Sequence, residues 1–324
     1  MKRILVTGAG GFIGSHVAEL LVQEGFAVRA FVHYNARGTW GWLEESPCKS
    51  ALEVVSGDVR DFDAVQRALR GCDAVFHLAA LIGIPYSYVS PLAYVRTNIE
   101  GTYNVLEAAR ILGTGQVLVT STSETYGTAQ YVPIDEQHPA VGQSPYSATK
   151  IAADQLAVSY YRSFNLPVKI VRPFNTYGPR QSARAVIPTI ITQILSGMRA
   201  LHLGNLAPTR DLTFVKDTAR GFLEIYKAEG LAGEATNIGM NSEISIGELA
   251  RTIAGLMNVE ISIDTEEQRV RPAMSEVERL WCNNAKICTR TNWRPAYTLE
   301  QGLMETIAWL RQHVELYKPG QYTV

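Results

Sequence analysis

The stretch Gly8-Ala9-Gly10-Gly11-Phe12-Ile13-Gly14 joins a short apolar run, residues 3–7, to an amphipathic segment. Its glycines at 8, 11 and 14 fit the strand, turn and helix start of a dinucleotide-binding unit. The first glycine permits a tight turn, the second lets the backbone approach a pyrophosphate, and the third lets the helix pack on the strand. The phosphates would then lie at the helix N-terminus, although a glycine turn without a ligand is the alternative.

Strand-like and helix-like segments alternate over the following part of the chain. Strands are expected near residues 27–32, 52–55, 75–78, 116–120 and 168–171, with helical patterns between them. This alternation predicts an α/β fold, a Rossmann doubly wound parallel sheet. We expect a Rossmann domain at residues 1–176, to which residues 212–240 return, and a smaller substrate-binding lobe at residues 177–324.

The composition is that of an ordinary globular protein, with 324 residues of which 46% are hydrophobic and 19% charged. A net charge of −1 argues against nucleic acid as the main partner. No apolar run approaches the roughly 18 residues that span a membrane, and the first strand starts too early for a removable signal peptide. We therefore expect a cytoplasmic protein. The four cysteines and six histidines show no metal-ligand spacing, so we expect no metal.

The second decisive stretch is Tyr146-Ser147-Ala148-Thr149-Lys150. In a helix its tyrosine and lysine lie one turn apart on the same face. A free tyrosine has a pKa of about 10, and an ammonium group one turn away, together with a cationic nicotinamide ring, would favour its phenolate. The pattern therefore predicts a tyrosine base assisted by Lys150, although a surface tyrosine beside a solvated lysine would give the same spacing.

A polar run, Ser121-Thr122-Ser123-Glu124-Thr125-Tyr126-Gly127, follows a predicted strand between the glycine turn and Tyr146. The carboxyl ends of other predicted strands carry Asp58, Ala79 and Asn175. Ligands of doubly wound sheets bind beyond these ends. We therefore expect all these residues to meet at one site.

The end of the second strand bears on the cofactor. NAD-binding units usually carry an acid for the ribose there, but this chain has Val32-His33-Tyr34-Asn35, with Arg37 nearby. NADP stays open, because His33 or Arg37 would suit a 2′-phosphate. Asp58 is placed to accept a hydrogen bond from the adenine amine, and a helix cap is its alternative role.

Two basic residues of the C-terminal half suit a diphosphate. Arg210 and Arg271 are placed to clamp it, although each alone is equally consistent with a surface salt bridge. Residues 81–91 are interpreted as a long loop that carries Ser87 towards the substrate.

Together these motifs resemble the extended short-chain dehydrogenase/reductase family that acts on nucleotide sugars. The resemblance implies a tightly bound, recycled NAD or NADP, no metal, and a homodimer. It implies cofactor binding by Gly8, Gly11, Phe12, Ile13, Gly14, His33, Arg37, Asp58, Val59, Leu78, Ala79, Ala80, Asn98, Thr120, Tyr146, Lys150 and Pro173. It implies substrate binding by Ser87, Thr122, Glu124, Asn175, Arg180, Arg210 and Arg271, and catalysis by Thr122, Ser123, Glu124, Tyr146 and Lys150.

Within that family, Thr122-Ser123-Glu124 departs from the Thr-Asp-Glu of sugar 4,6-dehydratases and lacks the acid that would protonate the leaving C6 hydroxyl. Residues 31–43 and 84–88 resemble configuration-retaining dehydratases of the legionaminic-acid pathway, which share Thr-Ser-Glu and act on nucleotide-linked N-acetylglucosamine. This resemblance implies a UDP- or GDP-linked amino sugar as substrate and a 4-keto-6-deoxy product. Three alternatives are kept. UDP-glucuronate decarboxylases share the triplet, 4-epimerases have no use for Glu124, and a non-enzymatic Rossmann scaffold would be expected to lose Tyr146 or Lys150.

Overall fold

The computed structural model describes residues 1–318, and seven of the strands in that range form one sheet. The strands are β1 (Arg3–Thr7), β2 (Ala27–His33), β3 (Leu52–Gly57), β4 (Ala74–His77), β5 (Gln116–Thr120), β6 (Val168–Pro173), β7 (Asn175–Tyr177), β8 (Ala200–Leu203), β9 (Thr209–Arg210), β10 (Leu212–Phe214), β11 (Ala235–Ile238), β12 (Ile244–Ser245), β13 (Ser262–Thr265) and β14 (Arg279–Leu280). The α-helices are α1 (Phe12–Gln23), α2 (Phe62–Leu69), α3 (Ile84–Val89), α4 (Pro91–Tyr94), α5 (Gly101–Leu112), α6 (Pro145–Phe164), α7 (Val186–Leu195), α8 (Val215–Lys227), α9 (Ile246–Leu256), α10 (Ala285–Arg290) and α11 (Leu299–Gln312).

The main sheet has the strand order β11-β6-β5-β4-β1-β2-β3, and its neighbouring strands are parallel. Ile4 of β1 pairs with Val28 of β2 on one side and with Ala74 of β4 on the other. The strand order reverses beside β1, and such a reversal opens a crevice at the carboxyl edge of the sheet. The predicted fold class, a Rossmann doubly wound parallel sheet, is confirmed.

Helices cover both faces of this sheet, so its central strands are buried on both sides. Ile4 and Val6 point into a core shared with α1 and α8. Leu5, between them, points into a second core shared with α2, α5 and α6. Alternation along β1 therefore fixes the sheet between two apolar layers and leaves its carboxyl edge free to carry polar groups.

The helix that carries Tyr146 begins with a well-defined cap. The side chain of Ser144 accepts a hydrogen bond from Ser147 N at 3.1 Å, and the side chain of Ser147 accepts one from Ser144 N at 3.0 Å. Pro145 occupies the first helical turn, where a missing N–H breaks no intrahelical bond. Tyr146 and Lys150 therefore lie one turn apart at the start of α6, as the spacing predicted.

The C-terminal half builds a separate core from α7, α9 and α11, including Ile190, Leu249 and Leu303. Two segments of this half belong instead to the main body. Residues Ala235–Ile238 pair with β6, and α8 packs beside α1. The division into a Rossmann domain at residues 1–176 with 212–240 and a lobe at 177–324 stays a prediction.

The expected long loop at residues 81–91 is wrong, because most of this segment is helical. Ile84–Val89 forms α3, and α4 starts at Pro91. Pro85 and Pro91 occupy the first turns of these helices, where proline is well tolerated. Prolines that were interpreted as loop residues therefore start helices instead.

Candidate active site

One cavity of about 1260 Å³ lies at the carboxyl edge of the main sheet. Pockets for single small ligands usually enclose about 300–1,000 Å³. This cavity is therefore large enough for a dinucleotide and a second ligand side by side. Predicted site residues that line it are Gly8, Gly11, Phe12, Ile13, Gly14, His33, Asp58, Val59, Leu78, Ala79, Ala80, Thr120, Thr122, Ser123, Glu124, Tyr146, Lys150, Pro173, Asn175, Arg210 and Arg271.

The glycine turn fits the role of a phosphate cradle. Gly8 has a φ of +69°, and a Cβ there would lie 2.8 Å from Ala79 N. A Cβ at Gly14 would lie 2.1 Å from Gly8 O, so α1 approaches the turn too closely for any side chain. Gly11 lines the cavity at the start of α1, and a Cβ there would meet a single atom within 4 Å, Gly8 O. These residues fit a dinucleotide pyrophosphate at the helix N-terminus.

Asp58 lines the same cavity directly after β3, and it was predicted to contact an adenine. Its carboxylate accepts hydrogen bonds from Arg60 N and Nε, both at 2.9 Å. The bond with the Arg60 side chain is the main cause that lowers the pKa of Asp58, so the carboxylate is ionised. The cap of α2 is Asp61, whose side chain accepts from Ala64 N at 3.2 Å. Asp58 is therefore not the cap, and its contact with adenine stays a prediction.

Tyr146 is 7% exposed, and burial raises its pKa. A hydrogen bond with Thr122 acts in the opposite direction, and the negative charge of Glu124 raises the pKa further. Lys150 Nζ donates to Thr120 O at 2.5 Å, and burial lowers the pKa of Lys150 to about 8. Burial therefore outweighs these effects on the pKa of Tyr146 when no cofactor is present, and the predicted phenolate, favoured by Lys150 together with a cationic nicotinamide ring, stays a prediction.

The predicted polar run forms a tight 3₁₀ turn, Ser123–Tyr126, directly after β5. The Thr122 hydroxyl caps it by accepting a hydrogen bond from Glu124 N at 3.3 Å. Glu124 faces the cavity, and its Oε1 lies 4.0 Å from Arg271 Nη1. The turn therefore brings a hydroxyl and a carboxylate to the same place as Tyr146.

Two arginines, Arg210 and Arg271, also line the cavity. Arg210 is 7% exposed, and its Nη2 lies 3.1 Å from Glu276 Oε1. Arg271 Nη1 lies 3.6 Å from the same oxygen. Nearby on β7, Asn175 lines the cavity with a buried Oδ1 that has no hydrogen-bond partner among the described residues. These groups supply cationic and polar contacts for an anionic ligand such as a diphosphate.

Ser87 and Asn98 were predicted to touch ligands but lie behind the cavity wall. Ser87 is fully buried and donates to Ile84 O at 2.6 Å, which closes a turn of α3. Asn98 accepts from Leu81 N at 2.9 Å and donates to Thr149 Oγ1 at 3.1 Å. Ser87 is thus a helix residue, and Asn98 holds the segment after β4 against α6.

Arg180 and Arg37 also lie outside the cavity lining. Arg180 has a φ of +72°, and its guanidinium binds Glu19 Oε1 at 2.9 Å and Ser15 Oγ at 3.1 Å. It therefore ties the loop after β7 to α1, and its predicted contact with substrate stays a prediction that the cavity lining does not support. Arg37 is exposed in the loop after β2.

Two features of the cavity were not assigned from the sequence. Trp42 N donates to Gly10 O at 3.0 Å, and a Cβ at Gly41 would lie 2.4 Å from that oxygen, so residues after β2 cover the glycine turn. The sequence Trp40-Gly41-Trp42 is the local pattern from which this covering segment could have been predicted. Glu276, which lies between two arginines, follows Arg271 by five residues and gave no local signal.

This fold and site define an extended short-chain dehydrogenase/reductase that works on nucleotide sugars. The chain belongs to the family described as GDP-mannose 4,6 dehydratase, whose model matches residues 5–306. It is 31% identical over 320 residues to a dTDP-glucose 4,6-dehydratase of Streptomyces antibioticus, which covers 98% of this chain and 94% of that protein.

Solved structures of the same class include both dehydratases and epimerases. A dTDP-glucose 4,6-dehydratase from Streptomyces venezuelae, solved with NAD and TYD bound, has a TM-score of 0.88 at 30% identity, covering 98% of this chain and 99% of that one. A UDP-N-acetylglucosamine 4-epimerase from Methanobrevibacter ruminantium, in complex with UDP-N-acetylmuramic acid, has a TM-score of 0.87 at 27% identity, covering 96% and 99%. The chain is therefore a member of the nucleotide-sugar 4,6-dehydratases and 4-epimerases.

Within residues 1–318, no helix is long and apolar enough to cross a membrane. In the same range, no group of three or more His, Cys, Asp or Glu side chains is arranged to hold a metal ion.

Proposed function

We propose that this protein is a 4,6-dehydratase that converts UDP- or GDP-linked N-acetylglucosamine to the 4-keto-6-deoxy sugar. The observation that carries the proposal is the position of Glu124, in the same turn as Thr122 and in the same cavity as Tyr146 and Lys150. Oxidation at C4 requires a base such as Tyr146, and elimination across C5 and C6 requires a second base. The cavity offers both.

The first half of the reaction uses Tyr146, Thr122 and Lys150. Tyr146 takes the proton from the C4 hydroxyl, and Thr122 hydrogen-bonds the tyrosine during this step. A bound nicotinamide dinucleotide would accept hydride from C4 and later return it to C6. Lys150 is held by Thr120 O, one turn from Tyr146, and adds positive charge beside the reacting hydroxyl.

The second half uses Glu124. The 4-keto group acidifies the hydrogen at C5, and Glu124 removes it as a proton. The bond between C6 and its oxygen breaks, and the protonated Glu124 gives its proton to that oxygen, so that water leaves. Ser123 stands where other dehydratases carry an acid, which is why Glu124 is assigned both tasks. After hydride returns to C6, C5 takes a proton from solvent.

The proposed cofactor is NAD, tightly bound and recycled, because the Streptomyces venezuelae dehydratase is described with NAD bound. NADP is kept as an alternative, since His33 rather than an acid ends β2. The cofactor-binding roles given above for the glycine turn, Asp58 and residues 78–80 are part of this proposal. Titration with both dinucleotides distinguishes them.

The proposed amino-sugar substrate is supported by the cavity wall. Leu81, Ile82, Ile84, Tyr88 and Val89 line the cavity and give an apolar surface suited to an acetyl methyl group. Arg210, Arg271 and Asn175 are assigned to the diphosphate side. The Methanobrevibacter ruminantium structure named as a UDP-N-acetylglucosamine 4-epimerase supports the same sugar class.

A second candidate, 4-epimerisation, is favoured by that same structure. It needs C4 oxidation and re-reduction from the other face, and it leaves Glu124 without a task. A UDP-glucuronate decarboxylase is the third candidate, which the Thr-Ser-Glu triplet allows.

Mass spectrometry of products formed in heavy water separates these three reactions. The protein is incubated with UDP-N-acetylglucosamine, GDP-N-acetylglucosamine and UDP-glucuronate in turn. Loss of water with deuterium at C5 supports the dehydratase and identifies the nucleotide. Loss of carbon dioxide from the glucuronate, or an unchanged mass with an inverted C4 centre, would replace it with one of the other candidates.

A homodimer and a cytoplasmic location also belong to the proposal. Tyr103 of α5 and Phe164 of α6 are 45% and 52% exposed and offer apolar surface for a partner copy, whereas Leu106 and Tyr160 of the same helices are buried. Light scattering of the wild-type protein and of a Tyr103→Glu variant tests the dimer. Fractionation of the producing cells tests the location.

A further inference from the structure

We propose that Tyr126 and Arg172 are positioning residues that hold the carboxylate of Glu124 for the elimination step. This inference rests on the proposed dehydratase function. Neither residue lines the cavity, and both are buried. They belong to a buried polar network made of Ser121, Tyr126, Asp154, Arg172 and Asn237, of which Ser121 lines the cavity.

The turn that carries Glu124 is short and internally bonded. Thr125 N donates to Thr122 O at 3.3 Å, and Thr125 Oγ1 donates to the same oxygen at 2.7 Å. Gly127 N donates to Glu124 O at 3.3 Å, with a φ of +65° at Gly127 that ends the turn. Because the turn is this tight, the end that carries Glu124 moves together with the end that carries Tyr126.

Tyr126 anchors the far end of the turn. Its side chain is 1% exposed, and its hydroxyl accepts a hydrogen bond from Arg172 Nη1 at 2.8 Å. The same hydroxyl donates to Asn237 Oδ1 of β11 at 2.7 Å. The guanidinium carbon of Arg172 also lies 4.8 Å from the centre of the tyrosine ring. A buried hydroxyl with both partners in place has one favoured position.

Arg172 connects this anchor to the helix that carries Tyr146 and Lys150. Its Nη2 donates to Asp154 Oδ2 at 2.7 Å, and Ser121 Oγ donates to the same carboxylate oxygen at 2.6 Å. Asp154 lies on α6 one turn after Lys150. The network therefore sets the distance between the proposed base for C4 oxidation and the proposed base for elimination.

Direct side-chain contacts do little to hold the carboxylate of Glu124. Among the described residues, the one salt-bridge contact of that carboxylate is with Arg271 Nη1, at 4.0 Å. Its placement thus depends on the backbone of the turn. A displacement of about 1 Å at a reacting group can slow a reaction about 100-fold.

The test replaces Tyr126 with phenylalanine, which removes the hydroxyl and keeps the ring. Tyr226→Phe is the matched control, because Tyr226 is a buried tyrosine of α8 that does not line the cavity. Rapid mixing with the nucleotide sugar that the wild type uses gives the rate of C4 oxidation, from reduced-nicotinamide absorbance. Mass spectrometry gives the rate of water loss.

We expect Tyr126→Phe to keep C4 oxidation within about twofold and to slow water loss at least about tenfold. Arg172→Lys, which retains the positive charge and one donating nitrogen, should lose less elimination than Arg172→Met. Equal slowing of both half-reactions would mean a general structural role and would overturn the proposal, as would unchanged water loss.

Hydrogen exchange provides a readout that does not depend on turnover. The amides of Thr125 and Gly127 should exchange faster in Tyr126→Phe than in the wild type or in Tyr226→Phe. If the wild type releases no water from any substrate, the dehydratase function fails. The exchange rates then still decide whether Tyr126 holds the turn, because unchanged exchange overturns that role.

Discussion

Replacing Glu124 with glutamine keeps the size of the side chain and removes its basicity. Three carboxylates line the cavity within the described residues. Asp58 is hydrogen-bonded by Arg60, and Glu276 Oε1 lies 3.1 Å from Arg210 Nη2. Neither is free to replace Glu124 as the base at C5. A positioned general base contributes about 10²–10⁴-fold, so we expect Glu124→Gln to lose water about 10²–10⁴ times more slowly, or about 3–5 kcal/mol in the barrier.

The assay follows both half-reactions in one sample. Glu124→Gln should still oxidise C4, so reduced-nicotinamide absorbance should rise after mixing and persist, while no deuterium enters C5. Glu276→Gln is the comparison variant, because it also removes a carboxylate beside Arg271 but leaves Glu124 in place. We expect it to retain elimination, because Glu124 is unchanged. Water loss by Glu124→Gln at the wild-type rate would refute the role given to Glu124.

Three further predictions concern the cofactor turn, the substrate arginines and acid stability. Gly14→Ala should abolish dinucleotide binding in calorimetric titrations, since its Cβ would lie 2.1 Å from Gly8 O, whereas Gly255→Ala, with no atom within 4 Å of the added Cβ, should bind normally and stabilise α9 by up to about 1 kcal/mol. Arg210→Gln should weaken UDP or GDP binding about tenfold or more in the same titrations, because a hydrogen bond to a charged group contributes about 1.5–3 kcal/mol. Burial lowers the pKa of His77 to about 3 and of His16 to about 4, so the unfolded chain binds protons first below pH of about 6.5. The free energy of unfolding from urea titrations should therefore fall by about 2 kcal/mol per histidine between about pH 7 and pH 5, and His16→Asn should lack its share.

The predictable parts of the fold are those that depend on residues close together in the sequence. The glycine spacing at 8, 11 and 14 predicts a strand, a turn and a helix within one short segment, and all three are present. The placement of Tyr146 and Lys150 on one helix face likewise follows from the geometry of a single helical turn. Because these patterns depend on residues that are near one another in the chain, they can be recognised without knowledge of the tertiary structure.

The parts that were missed depend on contacts between distant segments. Ser87 was placed at the substrate because its segment resembled a loop, and nothing local reveals that its hydroxyl closes a helical turn. The family resemblance implied that Arg180 binds substrate, and nothing local reveals that its guanidinium reaches Glu19, more than 150 positions earlier in the chain. Glu276 stands out only because it contacts Arg210 and Arg271, which come from separate segments of the chain.

The ionisation of Tyr146 shows how competing effects must be weighed within the folded cavity. The sequence provides an ammonium group one turn away, which favours the phenolate. Folding buries both groups, and burial disfavours the phenolate of Tyr146 and the ammonium of Lys150 alike. Thr122 offsets part of this cost by hydrogen bonding, but burial is the largest effect on the pKa of Tyr146. The proposed role of Tyr146 as a base therefore requires more positive charge than Lys150 supplies, and the sequence-based prediction assigns that charge to an oxidised nicotinamide ring.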